Sequence, residues 1–356
     1  MRNLVRPEKT QERAAYYDAI AGQNLFPLWE RLADLLSPEP RVRSRPHAWK
    51  YKDVRPALMQ AAGIISAEEA ERRVLILENP GLIGSSAITE SLYAGLQLIT
   101  PGEIAPAHRH SPSALRFLLE GTGAYTAVGG EKAWMEPGDL VLTPSMQWHD
   151  HGHEGQDPVV WLDVLDLPLL TNLGAIFLDG FGDRRYPETR PAASSEALYG
   201  SNMRPIGYEN PSKNSPLIKY SYARSRGALE AMSRAADPDP ILGYGLEYVD
   251  PLTGRSALST ISTFLQFLPK GFLGQEQRVT DGRIFSIAEG FGQVDVGEGE
   301  HKKTFSYAPR DTIVAPCWAP VSWRSQSDTF VFTASDRNVQ QLLGVWRAKQ
   351  QVEADA

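Results

Sequence analysis

The sequence predicts a mainly β chain that carries two small barrels in tandem, preceded, linked and closed by helices. Three observations carry that reading. From about 86 to 166, and again from 262 to 334, short apolar or alternating runs are separated by Gly and Pro, the texture of an all-β barrel or sandwich. The two stretches share their punctuation. Pro101 and Gly102, Glu120 and Gly121, Pro137 with Gly138 and Asp139, and Pro144 in the first answer to Pro269 and Gly271, Glu289 and Gly290, Pro309 with Asp311, and Pro316 in the second. Pro137 lies as far from Pro144 as Pro309 from Pro316, and a common frame with different filling residues indicates duplication. Third, the length of 356 residues exceeds one average domain of roughly 100–200.

In order along the chain, 10–36 reads as helix: Ala15, Tyr16, Ile20, Leu25, Leu28, Leu32, Leu35 and Leu36 recur at near-helical spacing, with Pro27 as a break. That stripe is a packing face for a core or a partner subunit. Helix formers at 67–73 hand over to the apolar run 74–77. After the first barrel, 167–259 changes texture. It has turn clusters at 179–182, 191–195 and 210–215, a helix over 227–236 and a strand at 243–249. A strand at 262–268 opens the second barrel, and a helix over 336–350 closes the chain. The expected division is an N-terminal helical or arm region (1–85), a first barrel (86–170), a linker with helix and strands (171–258), a second barrel (259–336) and a C-terminal helix (337–356).

Composition narrows the function. Hydrophobic residues are 42% and charged residues 22%, which excludes disordered, collagen-like and coiled-coil chains. A net charge of −7 argues against a broad electrostatic grip on nucleic acid. The single Cys317 excludes an intrachain disulfide and a Cys-built metal site. The most apolar stretch, 159–170, is broken by Asp163, Asp166 and Pro168, so no membrane span is expected. The opening residues are charged, without the apolar segment of a secretory signal, and the expected setting is the cytoplasm.

Histidine points to the chemistry. Five of seven histidines fall between 108 and 153, in two tight groups. His108 and His110 stand two apart, so on a strand both imidazoles project to one face. Trp148, His149, Asp150, His151, Gly152 and His153 follow the Pro137 turn. An antiparallel neighbour can bring His149 to the same point, and three neutral imidazoles then occupy one face of a metal and leave the other open. His153, beside Glu154 and Gly155, reads as a solvated turn histidine, and His301, beside Lys302 and Lys303, as exposed. The second barrel lacks this set: the equivalent spacing lands on Gln277, Val279 and Val321.

Pro101, Gly102, His108, His110, Pro137, Gly138, Asp139 and His149 resemble the two motifs of the cupin superfamily. More narrowly, 92–97, 105–110, 114–117 and 148–152 are similar to the gentisate 1,2-dioxygenases, from about 46 to the end of the chain. The resemblance implies two cupin (double-stranded β-helix, jelly-roll) barrels, of which the second, without the histidines, is metal-free. It also implies a homo-oligomer, a homotetramer, with one Fe(II) per chain, which cleaves gentisate (2,5-dihydroxybenzoate) with O₂ to maleylpyruvate. Many cupins carry a glutamate ligand where this chain has Ala114 or Leu115, so the site is a three-histidine one. A divalent ion held by neutral ligands keeps its full charge and favours an anionic, chelating hydroxybenzoate.

The resemblance also assigns surrounding roles. It puts Arg116 in the pocket, where a guanidinium holds the substrate carboxylate or a bound oxygen species, and Arg72 there as a second substrate-facing arginine. Tyr93, Gly95 and Gln97, which share one strand face, line the pocket, with Trp148 at its wall. His151 and Asp163 form a hydrogen-bonded pair that orients Arg116 or moves a proton from a substrate hydroxyl. Two departures stand out: Val164, where the family commonly has Gly, narrows the pocket, and Ser113 replaces a common Asn.

Two other functions remain open at this stage. One is the related cleavage of salicylate or 1-hydroxy-2-naphthoate, against which Tyr93 speaks and which Val164 keeps open. The other is a non-catalytic metal-binding cupin that senses or stores an aromatic acid, which has no need of Arg116, His151 and Asp163 together.

Overall fold

The computed structural model describes residue 8 and residues 10–201, 203–208 and 212–350. Residues 1–7 and 9 of the charged opening, part of the turn expected at 210–215 and the end of the expected C-terminal helix beyond 350 lie outside them. The chain divides into two compact units, one up to Val42 and one from Arg43 onward.

The first unit is a helical pair. Thr10 caps α1 (Gln11–Ala21), its hydroxyl accepting the Arg13 N–H at 3.2 Å, and Pro27 precedes α2 (Leu28–Leu35). The Trp29 indole donates to the Tyr17 oxygen at 2.9 Å, and the Tyr17 hydroxyl to Glu30 at 2.6 Å. Neither helix has a buried residue, so the expected apolar stripe is not a core face of this unit.

The second unit opens with β1 (His47–Trp49), α3 (Tyr51–Ile64), α4 (Ala67–Ala70) and β2 (Arg73–Ile76). The front barrel follows: β3 (Tyr93–Ile99), β4 (Ile104–His110), β5 (Ala114–Glu120), β6 (Ala124–Val128), β7 (Glu131–Trp134), β8 (Leu140–Thr143), β9 (His149–His153) and β10 (Val159–Leu165). Then come α5 (Leu167–Asn172), β11 (Leu178–Gly180), α6 (Ser194–Tyr199), β12 (Lys219–Tyr220), α7 (Tyr222–Ala235) and β13 (Tyr244–Glu247). The rear barrel is β14 (Ser262–Leu268), β15 (Gln277–Val279), β16 (Arg283–Glu289), β17 (Gly292–Val296), β18 (Lys303–Tyr307), β19 (Thr312–Ala315), β20 (Val321–Ser325) and β21 (Thr329–Ser335), followed by α8 (Arg337–Leu342) and β22 (Ala348–Gln350).

Each barrel is made of two antiparallel sheets, and the two barrels match strand for strand. The front pair of sheets runs β12-β8-β5-β10-β3-β2 and β11-β4-β9-β6-β7; the rear pair runs β1-β19-β16-β21-β14-β13 and β22-β15-β20-β17-β18. Even the bulge recurs, between Val160 and Trp161 against β5 and between Ile287 and Glu289 against β21. The duplication is therefore deeper than turn punctuation, because the edge strands β1 and β12 come from outside the barrels they complete.

The helices after those edge strands brace the halves reciprocally. The Tyr51 N–H donates to Asp311 at 2.9 Å in the rear barrel, while its hydroxyl and Arg55 engage Glu120 of the front barrel. The Tyr222 N–H donates to Asp139 at 2.9 Å in the front barrel, while its hydroxyl and Arg226 engage Glu289 of the rear one. Between the barrels, Leu96, Leu115, Phe117, Leu162 and Val164 share a buried cluster with Leu265, Ile284, Phe330 and Phe332. Phe117 stacks on Phe332 at 4.2 Å, a pair worth about 0.5–1.5 kcal/mol beyond its buried area.

Three local expectations change. Helix α3, with Pro56 inside it, lies in a stretch with no expected element. Helix α7 begins at Tyr222 rather than 227, since Asp139 receives its first N–H. The terminal helix over 336–350 is only α8. Gly344, at φ 69°, takes the left-handed turn that ends it, and the chain returns as β22 beside β15. Among the described residues, no helix is long and apolar enough to cross a membrane.

Candidate metal centre

The front barrel's interior is set by strand alternation. In β4, His108 and His110 share a face; across the ladder, His108 pairs directly with His149 of β9. One ring nitrogen from each of His108, His110 and His149 lies within 4.8 Å of the others, and His149 is fully buried. Ring centroids stand 4.0 Å apart for His108 and His149, and 4.9 Å for His110 and His149.

Each ring is oriented by a backbone carbonyl two residues away. Nδ1 of His108 meets Pro106 at 3.1 Å, Nδ1 of His110 meets Pro112 at 2.7 Å, and Nδ1 of His149 meets Gln147 at 2.9 Å. A carbonyl only accepts, so Nδ1 of His110 and of His149 carries the hydrogen and their Nε2 presents a lone pair, while at His108 the same Nδ1 also meets the Arg72 guanidinium, which only donates. Burial holds all three imidazoles well below the usual histidine range, and neighbouring positive groups add to this. The His149 Nε2 is buried without a hydrogen-bond partner, a cost that a coordinated cation would remove. Three converging neutral imidazoles fit a divalent transition metal.

The opposite sheet supplies charge. Arg116 of β5 pairs in register with Asp163 of β10, and both are nearly fully buried. The Arg116 Nε stands 3.3 Å from the Asp163 carboxylate, an ion pair outside hydrogen-bond alignment, and Nη1 donates to Thr143 at 2.5 Å. The Trp161 indole donates to Asp163 at 3.1 Å. Burial pushes the Asp163 carboxyl up against the pull of Arg116, and pushes the Arg116 guanidinium down. Arg72, just ahead of β2, donates to the Pro106 carbonyl at 3.2 Å and touches His108 Nδ1, so it enters the site.

Gly95 lies opposite Asp163 in β3, with Tyr93 and Gln97 on the same face. A Cβ on Gly95 would sit 2.7 Å from the Tyr93 hydroxyl and 2.5 Å from Val74, so the absent side chain is what admits the Tyr93 ring. Burial, and secondarily Asp163, raise the Tyr93 phenol above its usual range. Gln97 is buried beside Arg72.

Several expected placements change. His151 and Asp163 make no hydrogen bond to each other. His151 Nδ1 lies 2.9 Å from the Thr126 hydroxyl, which turns its own hydrogen to the Met135 sulfur; Nδ1 is thus the donor, and Nε2 is left buried without a partner. Asp163 serves Arg116 and Trp161 instead. Trp148 points away from the histidines, because it alternates with His149. It packs on the outer face against Phe181 at 5.1 Å and beneath Arg109 at 4.6 Å. Val164 alternates with Asp163 and packs toward the rear barrel, so it does not narrow the pocket. His153 is a non-ligand, as expected, but buried rather than solvated. Its Nε2 donates to the Asp157 carbonyl at 2.6 Å and its Nδ1 accepts from Gly155. Ser113 is buried, and its carbonyl receives the Asp166 N–H at 3.4 Å. His301 is exposed.

Two site residues, Thr126 and Thr143, escaped the sequence reading. Thr143 directly precedes Pro144 of the turn punctuation, which is the one signal that marks it; Thr126 gave no signal.

Comparison with known proteins agrees with this geometry. Residues 95–165 match the model of the cupin domain. The chain is 47% identical over 342 residues to gentisate 1,2-dioxygenase 1 of Aquipseudomonas alcaligenes, covering 96% of this chain and 97% of that protein. It is 33% identical to 5-aminosalicylate 1,2-dioxygenase of a Comamonas species, covering 94% and 89%. The crystal structure of salicylate 1,2-dioxygenase from Pseudoaminobacter salicylatoxidans with gentisate superposes with a TM-score of 0.91 at 28% identity, over 99% of this chain and 98% of that one. With its tandem barrels and its histidine triad, this chain belongs to the gentisate 1,2-dioxygenase family of ring-cleaving cupin oxygenases.

Proposed function

We propose that this enzyme cleaves gentisate with O₂ to maleylpyruvate, with one Fe(II) held by His108, His110 and His149. The observation that carries the reading is the buried pairing of a three-imidazole site with Arg116 on the facing sheet. The ring bond broken joins the carboxylate-bearing carbon to the neighbouring hydroxyl-bearing one, and both atoms of O₂ enter the product. When bound, the ion supplies a Lewis-acidic, redox-active anchor for an ortho-hydroxy carboxylate and for dioxygen.

The protein's own residues do the rest. Arg116 holds the substrate's negative charge, and it is itself held by Asp163 and Thr143 so that its fork does not swing away. Arg72 adds a second guanidinium beside His108. The bare His151 Nε2 accepts a hydrogen bond from a substrate hydroxyl. Tyr93, seated over Gly95 and beside Gln97, meets the ring and its outer hydroxyl. Trp148 contributes only through the outer aromatic cluster. Val164 faces away from the site, so the departure from Gly at that position does not favour salicylate cleavage. The reading extends to a cytoplasmic homotetramer, for which the exposed Leu25, Phe26, Leu28 and Trp29 supply apolar surface.

The test is to load metal-free enzyme anaerobically with Fe(II), add gentisate, admit air and follow oxygen uptake and product mass. The expected result is one O₂ consumed per gentisate and an acyclic diacid carrying both oxygen atoms. Uptake with salicylate but none with gentisate would move the assignment to the salicylate cleavers, and no uptake with either would sink the reading.

A further inference from the structure

The rear barrel has lost the metal ligands but retains a pocket where the front barrel has its site. Its volume is about 240 Å³, and its wall includes Phe264, Phe285, Val321, Trp323, Arg283 and Arg337. Register makes the correspondence explicit: Gln277 pairs with Val321 as His108 pairs with His149, and Phe285 pairs with Thr333 as Arg116 pairs with Asp163.

A guanidinium persists, moved one same-face step along its strand. Arg283 lies two residues before Phe285 and is 7% exposed. Its Nη2 donates to the Ala319 carbonyl at 3.3 Å, and its Nε is buried without a partner. Arg337 lies with its guanidinium carbon 4.7 Å over the Phe264 ring and its Nε 3.5 Å from Asp281. That carboxylate already accepts from the Ser335 hydroxyl at 2.5 Å and the Trp346 indole at 2.6 Å. Glu247, at the exposed rim, accepts from Ser256. Glu247 and Asp281 balance the two guanidiniums formally, but Asp281 is taken up by Arg337, Ser335 and Trp346 and Glu247 by Ser256, so the buried Arg283 is the charge without a carboxylate of its own in a largely apolar wall. Such a charge is costly unless an anion joins it.

Size and lining specify the anion. A cavity of about 150 Å³ holds benzene, so this one admits a single ring with a carboxylate and small substituents. Phe285 and Trp323 meet edge to face at 5.1 Å and offer the ring an aromatic corner. A carboxylate matches the guanidinium fork.

We propose that the rear barrel binds a monoaromatic carboxylate, without metal, between Arg283 and Arg337 and the rings of Phe264, Phe285 and Trp323. This goes beyond ring cleavage and does not depend on it, because this site has no imidazole.

Equilibrium dialysis of radiolabelled benzoate against the full-length, metal-loaded protein tests it; benzoate lacks the neighbouring hydroxyl that a chelating substrate needs. Arg116→Gln, which cripples the front site, is expected to keep one saturable benzoate site per chain. Arg283→Gln is expected to weaken that site at least about tenfold. Gly245→Leu should fill the pocket, since a Cβ there meets only ordinary contacts at 3.8 Å with Gln266 and 3.9 Å with Leu242. Both rear variants should leave kcat/KM for gentisate within about twofold. Acetate should compete far more weakly than benzoate. Loss of all benzoate binding in Arg116→Gln, undiminished binding in the rear variants, or equal competition by acetate would overturn the proposal.

Discussion

The two barrels are the same framework with different interiors, and the contrast isolates what the front one needs. The ladder that joins His108 to His149 joins Gln277 to Val321, and the His110 position holds Val279. Where the front has the ion pair of Arg116 and Asp163, the rear has Phe285 and Thr333; where the front has Gly95, opening space for Tyr93, the rear has Phe264. His151 is matched by Trp323, which packs on Phe285. The outer faces diverge far less, because both must close the same apolar seam between the barrels. Framework and chemistry are therefore separable, one carried by the outward residues and the other by the inward ones.

Importing rear residues into the front barrel tests that separation. His149→Val, the rear's residue, is expected to have the largest effect. With one of three ligands gone, metal content should fall from one per chain to near zero, and gentisate cleavage on the order of a thousandfold or more, about 4 kcal/mol of barrier. Because His149 is fully buried and Val fits the same framework in the rear, the melting temperature of the metal-free protein should hardly move. Full metal retention, measured by elemental analysis after dialysis, would break the assignment.

Arg116→Phe should do less, and differently. Metal content should stay at the wild-type level while kcat/KM falls on the order of 10²–10³-fold, the usual cost of removing a preorganised charged donor. The variant should also lose about 3 kcal/mol of stability, because Asp163 is left buried without its paired guanidinium, and only the more distant Arg72 still acts on it. Adding Asp163→Thr imports the rear pair whole, and should restore much of the stability but none of the activity. Metal loss in Arg116→Phe, or recovered activity in the double variant, would contradict the role given to Arg116.

Legibility in the sequence followed the same divide. The histidines were readable because a two-residue spacing on a strand has one geometric consequence, and the rear's Gln277, Val279 and Val321 were readable by the same count. The Arg116–Asp163 pair depends on register between β5 and β10, which local sequence does not encode, so Asp163 was first matched with His151. Trp148 and Val164 could have been excluded by alternation alone, since each neighbours an inward residue. Helix α7 was legible apart from its first turn, but the reciprocity of the two helices was hidden because its signal, Tyr51 and Arg55 against Tyr222 and Arg226, lies in segments that read as an arm and a linker. Pro56 further masked α3.

The smallest expected effect concerns a feature the barrels share. Asp166 and Asp336 each precede the short helix that leaves a barrel, and burial pushes both carboxyls up to about 6. Asp336 is well supplied with donors from Ser91, Gly282 and Gln340, whereas Asp166 has one close side-chain donor, Thr260, and the Ser113 backbone near its carboxyl. A carboxyl whose folded value is raised above its unfolded value near 3.9 binds its proton more tightly when folded, so stability grows as pH falls from about 6 toward 4. Asp166→Asn fixes the uncharged form at every pH. Wild type should therefore gain on that variant by up to about 1.4 kcal/mol per pH unit across that window, and by nothing between pH 7 and 8. Asp336→Asn should show the same slope, but with a net loss at all pH values because it disturbs three donors rather than one. Denaturant titrations at pH 4.5, 6 and 7.5 decide it: a pH-independent difference for Asp166→Asn would mean that this carboxylate is already stabilised as the anion, and that the two helix exits are not electrostatic equivalents.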